Sequence, residues 1–195
     1  MNVYEAILKR RTIRKFTQQT IDRDILKKLV NAARVAPQGA NLQPLKYIII
    51  DEQTLLPAIF ETTKWAGYLY PHATPEAEER PVAYIVILND LNIKKAGWEI
   101  DAGAAIENLI LAAMQEEIGT CWLGAIDRNK IKEILNIPNQ YHVESMVALG
   151  YPKEQPVMEE RNENIKYYKD NQGILHVPKR TFDEVVFYNK GVEQR

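Results

Sequence analysis

Apolar residues recur at helical spacing in two segments near the start of the chain. Asn2 precedes the first segment and Glu5 follows three residues later, an arrangement that predicts a capped helix beginning there. Asp22 can cap a second helix, which Pro37 stops. The apolar face of this second helix repeats at every fourth position, through Ile25, Leu29 and Ala33.

Short β-like runs alternate with helical segments through the middle of the chain. Their β-branched and aromatic residues predict strands at residues 45–51, 82–89, 120–124 and 143–150. Helices are predicted in the intervals 53–63, 98–118 and 127–136, the last with Asp127 as its N-cap and Pro138 just beyond its end. This alternation predicts an α+β protein, either a mixed fold or a three-layer α/β sandwich.

The helix predicted at 98–118 differs from the others because its apolar residues lie on nearly all of its faces. Such a helix is expected to be buried on all sides. It is about 30 Å long, and a small domain has difficulty burying that length alone. We therefore expect a second copy of the chain to cover part of it; the alternative is that the chain's own sheet and helices suffice.

The pattern weakens after Pro152. Residues 154–170 are highly charged, yet aromatic residues recur at Tyr167, Tyr168, Phe182, Phe187 and Tyr188. A disordered tail should be poor in aromatic residues, so we expect an arm laid over another surface. Residues 192–195 are expected to fray.

Composition narrows the class of protein. The chain has 195 residues, 46% of them hydrophobic, which predicts one domain over residues 1–195. Its formal net charge of -1 argues against a general nucleic-acid binder. Its single cysteine excludes an internal disulfide framework, and its three scattered histidines offer no metal-ligand spacing. The apolar run at 82–88 is too short to cross a bilayer, so we expect a cytoplasmic protein that is not inserted in a membrane.

Candidate chemistry appears first in a cluster of cations near the N-terminus. If the first helix continues through this segment, Arg10 and Arg14, four residues apart, leave it on one face while Arg11 points elsewhere. Thr12 adds a neutral donor, and the mixture suits a phosphate monoester. A solvated run of charges is the equally simple alternative. The cluster comprises Lys9, Arg10, Arg11, Arg14 and Lys15.

A second candidate is the amide loop, residues 36–44, between the second helix and the first strand. Pro37 and Pro44 restrict its ends, and Gly39 allows close approach of a ligand to the backbone. Asn41 and Gln43 present donors and acceptors that suit the edge of a heterocycle. Alternatively, these amides satisfy only their own backbone.

Together the two segments resemble the nitroreductase family of FMN-dependent oxidoreductases. Residues 10–16, Arg-Arg-Thr-Ile-Arg-Lys-Phe, match the family's N-terminal signature, and the amide loop matches its next one except at Gln38, usually Ser, and Leu45, usually Trp. The similarity continues through residues 101–109, 121–124, 150–152 and 179–186. It implies a three-layer α/β/α sandwich that forms an intertwined homodimer, with the long helix central and residues 152–195 as an arm on the partner subunit.

The resemblance also implies roles for individual residues. Arg10, Arg11 and Thr12 would take the phosphate and ribityl chain of FMN, Arg14 would tune the flavin, and Lys179 with Arg180 would complete the phosphate site. The amide loop would meet the flavin from the partner chain through Pro37, Gln38, Gly39, Asn41 and Gln43. Leu123 and Gly124 end a strand before a helix, so they are expected to contact the flavin ring; a plain connecting turn is the alternative.

No side chain is required as a catalyst, because the chemistry lies on the flavin. No GxGxxG motif follows a strand, so NADH or NADPH is expected to bind transiently against the flavin and a small acceptor to follow it in a ping-pong cycle. The aromatic segment 64–71 suggests a mobile wall for a nitroaromatic, quinone or flavin acceptor, with Trp65, Gly67 and Tyr68 in the substrate pocket; ordinary packing is the alternative. Two other functions stay open: a flavin-binding storage or sensing protein, and an anion-binding or nucleic-acid-binding module.

Overall fold

The computed structural model describes residues 1–69, 73–161, 164–189 and 191. At its centre lies a four-stranded antiparallel sheet in the order β1-β2-β4-β3. The strands are β1 (Leu45–Ile50), β2 (Ala83–Asp90), β3 (Gly119–Leu123) and β4 (Tyr141–Gly150). All four were predicted, with ends that shift by one or two residues.

Five helices accompany the sheet: α1 (Val3–Lys9), α2 (Arg23–Arg34), α3 (Leu56–Phe60), α4 (Trp98–Gln115) and α5 (Arg128–Leu135). The predicted caps are confirmed: Asn2 and Glu5 form a capping box on α1, and the side chains of Asp22 and Asp127 accept backbone N–H groups of α2 and α5. Among the described residues, no helix is long and apolar enough to cross a membrane.

Two predicted helices end earlier than their sequence patterns indicated. Helix α3 has five residues instead of the predicted 53–63, because the chain turns after Phe60 and the hydroxyl groups of Thr62 and Thr63 donate to the carbonyls of Ile59 and Phe60. Helix α4 stops at Gln115 instead of residue 118, since Glu117 adopts a left-handed conformation and the N–H of Ile118 bonds to the carbonyl of Ala113.

Helices cover both faces of the sheet, which confirms a mixed α+β architecture. On one face, α2 and α4 pack against alternate strand residues such as Ile85, Ile87 and Val147. On the other face, α3 and α5 pack against the intervening residues, among them Tyr84 and Met146. Strand β2 is consequently buried along its whole length.

The chain does not bury α4 on all sides by itself. Ile100 is 80% exposed, and Ala104, Glu107 and Leu111 are partly exposed. Neighbouring α1 also directs apolar side chains outward, namely Val3, Tyr4, Ile7 and Leu8. The single chain therefore leaves an apolar surface uncovered along these two helices.

Residues after Pro152 form a second, smaller sheet that the sequence pattern did not predict. Strand β7 (Leu175–Lys179) pairs in parallel with β5 (Val157–Glu160) and antiparallel with β6 (Tyr168–Lys169), and helix α6 (Phe182–Val185) follows. His176 on β7 joins the strands: its Nδ1 lies 2.8 Å from a carboxylate oxygen of Glu159, its Nε2 lies 3.2 Å from Asp170, and its ring stacks on Tyr168. Hydrogen bonds to the two carboxylates raise the pKa of His176 above its ordinary value, and the bond to Glu159 has the larger effect.

The arm begins against its own chain. Pro152 forms a bridge with Phe16, and the N–H of Lys153 donates to the carbonyl of Lys15 at 2.8 Å. Phe182 and Tyr188 are exposed. Contact of this arm with a partner subunit stays a prediction. The assignment of residues 1–195 to one domain also stays a prediction. Residues 192–195, which were expected to fray, lie outside the described part of the chain.

Candidate functional site

All the N-terminal cations except Lys9 lie on an extended segment, so the prediction of a continued helix carrying Arg10 and Arg14 on one face is wrong. Helix α1 ends at Lys9, and Arg10 is its extended C-cap residue. The Arg11 guanidinium donates to the carbonyl of Leu8 at 2.8 Å and also to that of Arg10. These bonds satisfy carbonyls that the end of a helix leaves unpaired, and the chain departs in an extended conformation.

This extended segment, residues 10–17, docks against one end of the central sheet. Thr12 bridges Thr120 on β3, and the N–H of Ile13 donates to the Thr120 carbonyl at 2.9 Å. The N–H of Thr17 donates to the carbonyl of Tyr151 at 2.8 Å. Ile13 and Phe16 are buried in the core, so both backbone bonds and apolar burial hold the segment in place.

Two glycines make room for the extended segment. Gly119 and Gly150 are direct partners across β3 and β4. A Cβ atom on Gly119 would lie 3.0 Å from the side chain of Ile13, and one on Gly150 would lie 2.8 Å from the Cβ atom of Phe16. Side chains at these positions would displace the backbone that carries the arginines.

Replacing Gly150 with alanine is accordingly expected to lower the free energy of unfolding by about 1–3 kcal/mol, the usual cost of overpacking a core. Denaturant-induced unfolding measures this loss. The matched control is Gly191→Ala, because no atom of the described residues lies within 4 Å of the added Cβ atom and the loss should be negligible. Equal stability of the Gly150→Ala variant and the parent protein would contradict the close packing of Phe16.

The cations of the segment differ in their partners. Lys15 Nζ lies 2.5 Å from a carboxylate oxygen of Glu79, and Arg10 Nε lies 3.7 Å from Glu107 on α4. Arg11 lines a groove of about 1220 Å³ between α1 and the start of the arm. Its partial burial lowers the pKa of its guanidinium, and the positive charge of Arg10 lowers it further. It thus lies on a different surface from the one that Arg10 faces.

Arg14 has no carboxylate partner for its guanidinium within the described ranges. The guanidinium carbon lies 5.1 Å from the ring centroid of Tyr167 in the arm, a cation–π contact. Its backbone N–H donates to a carboxylate oxygen of Glu154 at 2.5 Å, which fixes the main chain at this point. Tyr167 and Glu154 were missed from the sequence, because nothing local to either residue signals a contact with Arg14.

The amide loop carries an unusual concentration of left-handed backbone. Ala40, Asn41 and Gln43 have φ values of 49°, 53° and 52°, which residues other than glycine rarely adopt. Such conformations tend to cluster at functional sites, where surrounding contacts hold them. The loop is therefore a built feature of the fold rather than a loose connection.

Its side-chain amides are only partly used. Gln43 Nε2 donates to the Asn41 carbonyl at a long 3.4 Å, and no hydrogen bond of the Asn41 side chain is found within the described residues. The buried Oε1 of Gln38 also has no donor among them. The alternative that the sequence left open, bonds to the loop's own backbone, therefore holds only for Gln43 among the described residues, and not for the side chains of Asn41 or Gln38.

The turn after β3 is braced by a neighbouring segment. Leu123 is buried in the core, while Gly124 is exposed. Thr63 forms a bridge with Ile126, and the N–H of Lys64 donates to the carbonyl of Ala125 at 2.9 Å. Contact of Leu123 and Gly124 with a flavin ring stays a prediction.

The aromatic segment divides between core and surface. Trp65 is 6% exposed, its indole N–H donates to the Thr63 hydroxyl at 2.8 Å, and its ring stacks on Phe60. Gly67 and Tyr68 belong to a 3₁₀ turn, and Tyr68 is 58% exposed with its ring 4.9 Å from that of Tyr167. Trp65 thus anchors the segment in the core. The pocket and wall roles of these residues stay predictions, and residues 70 and 71 lie outside the described part.

The structure does not join the two C-terminal cations to the N-terminal ones. Lys179 ends β7, its carbonyl accepts the N–H of Arg161, and Arg180 follows; both are exposed. Within the described ranges, no hydrogen bond or ion pair links either side chain to the extended segment. Their role in a phosphate site stays a prediction.

The extended segment and the amide loop lie at diagonally opposite corners of the sheet. Thr12 bridges Thr120 at the β3 edge, whereas the loop leads into Leu45 at the β1 edge. The register aligns Thr120, through β4, with Ala83, but it aligns Leu45 with Asn89, six positions further along β2. Three strand spacings and six residues place these corners more than about 20 Å apart.

Fold and site thus define a mixed α+β protein with a cationic segment at one corner of its sheet and a strained amide loop at the opposite corner. The sequence profile described as the Nitroreductase family matches residues 7–151, and the chain belongs to this family. The resemblance found in the sequence motifs is confirmed.

Related sequences and solved structures agree with this family assignment. A protein of Archaeoglobus fulgidus, provisionally named NADH dehydrogenase/NAD(P)H nitroreductase, is 33% identical over 158 residues, covering 77% of this chain and 86% of its own. The crystal structure of a nitroreductase family protein from Clostridium novyi NT is 30% identical with a TM-score of 0.67, covering 94% and 98% of the two chains. A provisionally assigned nitroreductase from Desulfovibrio desulfuricans, solved in complex with FMN, is 25% identical with a TM-score of 0.67, covering 84% and 93%.

Proposed function

We propose that the protein is an FMN-dependent oxidoreductase that passes a hydride from NADH or NADPH, through FMN, to an oxidised small molecule such as a nitroaromatic, a quinone or a flavin. Family membership and the names of the relatives support this proposal. The observation that carries it is the Arg14 guanidinium, held on a docked segment without a carboxylate partner among the described residues.

The donors and acceptors of the site fit FMN. A phosphate monoester needs cations and neutral donors, which Arg10 and Thr12 supply at one corner of the sheet. A flavin ring edge offers both donors and acceptors, and the amide loop supplies the complementary groups in Asn41 and the orphaned Oε1 of Gln38.

The chain's own residues would then do three things. Arg10 and Thr12, with the predicted Lys179 and Arg180, would hold the phosphate and ribityl chain. Arg11, also predicted there, would contribute only its backbone, because its guanidinium bonds the carbonyls of Leu8 and Arg10. Arg14 would place a positive charge where a reduced flavin carries negative charge, which favours the reduced state. The amide loop would orient the ring. The chemistry supplied by a bound FMN is the acceptance and delivery of a hydride.

We further propose that two chains build each site as a homodimer. One chain cannot readily present both the extended segment and the amide loop to one flavin, because their corners are more than about 20 Å apart. The uncovered apolar surface on α1 and α4 supplies a surface that a second copy can bury. The amide loop of one subunit would then complete the cationic site of the other.

The direct test is the spectrum of the purified protein, which is expected to be yellow and to release about one FMN per chain on denaturation. Stopped-flow mixing with NADH and with NADPH should bleach the flavin absorbance, and a nitroaromatic or quinone should restore it. Colourless protein that cannot be reconstituted with FMN would contradict the proposal. Bound FMN with no rapid bleaching would instead identify a storage or sensing protein.

A further inference from the structure

We infer that Asp101 and Lys94 are positioning residues that set the backbone of the amide loop and, through it, the affinity for FMN. The second half of this inference rests on the proposed function. Neither residue is expected to touch the cofactor. Both act through Gly39.

Asp101 lies in the first turn of α4, directly against the loop. It is 3% exposed, and its two carboxylate oxygens have different partners: Oδ1 accepts the backbone N–H of Gly39 at 2.9 Å, and Oδ2 accepts Lys94 Nζ at 2.5 Å. One buried carboxylate thus links the loop backbone to a cation on a neighbouring turn. Hydrogen bonds to an ionised, buried acceptor are among the stronger ones in proteins.

Lys94 is itself held in place by the end of β2. Its N–H donates to the Asp90 carbonyl at 3.0 Å, and its carbonyl accepts the side-chain amide of Asn89 at 2.8 Å. The N–H of Asp90 also donates to the Pro44 carbonyl at 2.9 Å. The end of β2 therefore holds the loop at Pro44. It also positions Lys94, whose partner Asp101 holds the loop at Gly39.

The close approach favours a glycine at position 39. A Cβ atom there would lie 3.1 Å from Lys94 Nζ and 3.6 Å from an oxygen of Asp101. Beyond Gly39, the left-handed residues Ala40 and Asn41 follow at once. Strained backbone persists only where surrounding contacts over-determine it. The bond from Gly39 to Asp101 ties the residue directly before Ala40 to a helix outside the loop.

Stability alone does not account for such a pair. A buried ion pair often contributes little net stability compared with apolar residues of similar size, because both charges lose their hydration. Removing one partner, in contrast, leaves an uncompensated buried charge. The pair is better explained by the geometry that it imposes on the loop.

The test uses full-length protein carrying Asp101→Asn, Lys94→Met or both, with Lys95→Met as a matched control on an exposed neighbour. Two quantities are measured: hydrogen exchange of the backbone amides at 38–43 without FMN, and the dissociation constant for FMN. We expect either single variant to speed exchange of the Gly39 amide and to weaken FMN binding by about tenfold or more. The double variant should lose less than the product of the two single losses, and Lys95→Met should match the parent protein.

Unchanged exchange at 38–43 in both single variants would overturn the inference. Faster exchange with unchanged FMN affinity would overturn its second half and remove the loop from the cofactor site. A parent protein that binds no FMN would defeat the proposed function instead, while the exchange measurement would still decide the positioning role. If Asp101→Asn and Lys94→Met do not fold, Asp101→Glu tests the same bond, because it keeps the charge but moves the acceptor relative to the N–H of Gly39. Unchanged exchange at 38–43 in that variant would also overturn the inference.

Discussion

The Arg14→Ala variant is expected to bind FMN about ten- to a hundredfold more weakly than the parent protein. A hydrogen bond to a charged group contributes roughly 1.5–3 kcal/mol, and each 1.4 kcal/mol corresponds to about a factor of ten in affinity. The loss should approach the upper end, because Arg14 is not committed to a carboxylate within the described residues and its main chain is fixed by Glu154. Fluorescence titration of flavin-free protein with FMN measures the effect.

The same variant should lower the reduction potential of the bound flavin. A positive charge near the reduced ring stabilises it, so removal of that charge disfavours reduction. Arg14→Lys keeps the charge but not the planar guanidinium, and it should restore the potential more completely than the affinity. Thr12→Val should cost less than either change, because its contact is neutral. Equal affinity in Arg14→Ala and the parent protein would remove Arg14 from the site.

Mixing two variants that each bind FMN weakly should restore tight cofactor binding if each site is shared between subunits. Arg14→Ala damages the extended segment and Asn41→Ala damages the amide loop. In a heterodimer of the two, one site would carry both changes and the other would carry neither. Co-refolded chains should therefore regain tight binding at one site per heterodimer, whereas each variant refolded alone should not.

Ligand binding and assembly should be coupled in such a dimer. A ligand that binds only the assembled form stabilises it by mass action, by about 2.7 kcal/mol at a hundredfold excess over the dissociation constant. Added FMN should thus raise the melting temperature and suppress monomer in light scattering. A monomeric protein with full FMN content would defeat the shared site, while a dimer without complementation would argue only against the assignment of these two residues to different chains.

Features of the fold that are local in sequence were predictable. The caps at Asn2, Asp22 and Asp127 and the β-branched runs placed four helices and all four strands of the central sheet close to their observed positions. Helix α3 was predicted too long because the hydroxyl groups of Thr62 and Thr63 compete for its last carbonyls.

Errors at the site arose where distant residues decide the local structure. The helical reading of Arg10 and Arg14 failed because Arg11 caps α1 and because Thr12 pairs with Thr120, more than a hundred residues away. Strand β6 has only two residues, so it carries no usable periodicity. The support of Gly39 by Asp101 spans 62 positions, and no local pattern could reveal it.

The docking of the extended segment has a consequence for the order in which the protein is made. The arginines are synthesised well before the residues that hold them in place: the N–H of Arg14 finds its acceptor 140 positions later, at Glu154. Gly119 and Gly150, which receive Ile13 and Phe16, are also late. Until β4 is complete, Ile13 and Phe16 have no core to enter. The extended segment is therefore synthesised early but docks late, and its docking carries a high entropic cost of loop closure. A slow-folding chain, or one truncated before Gly150, leaves this basic and apolar segment exposed, and chaperones and proteases engage segments of this kind.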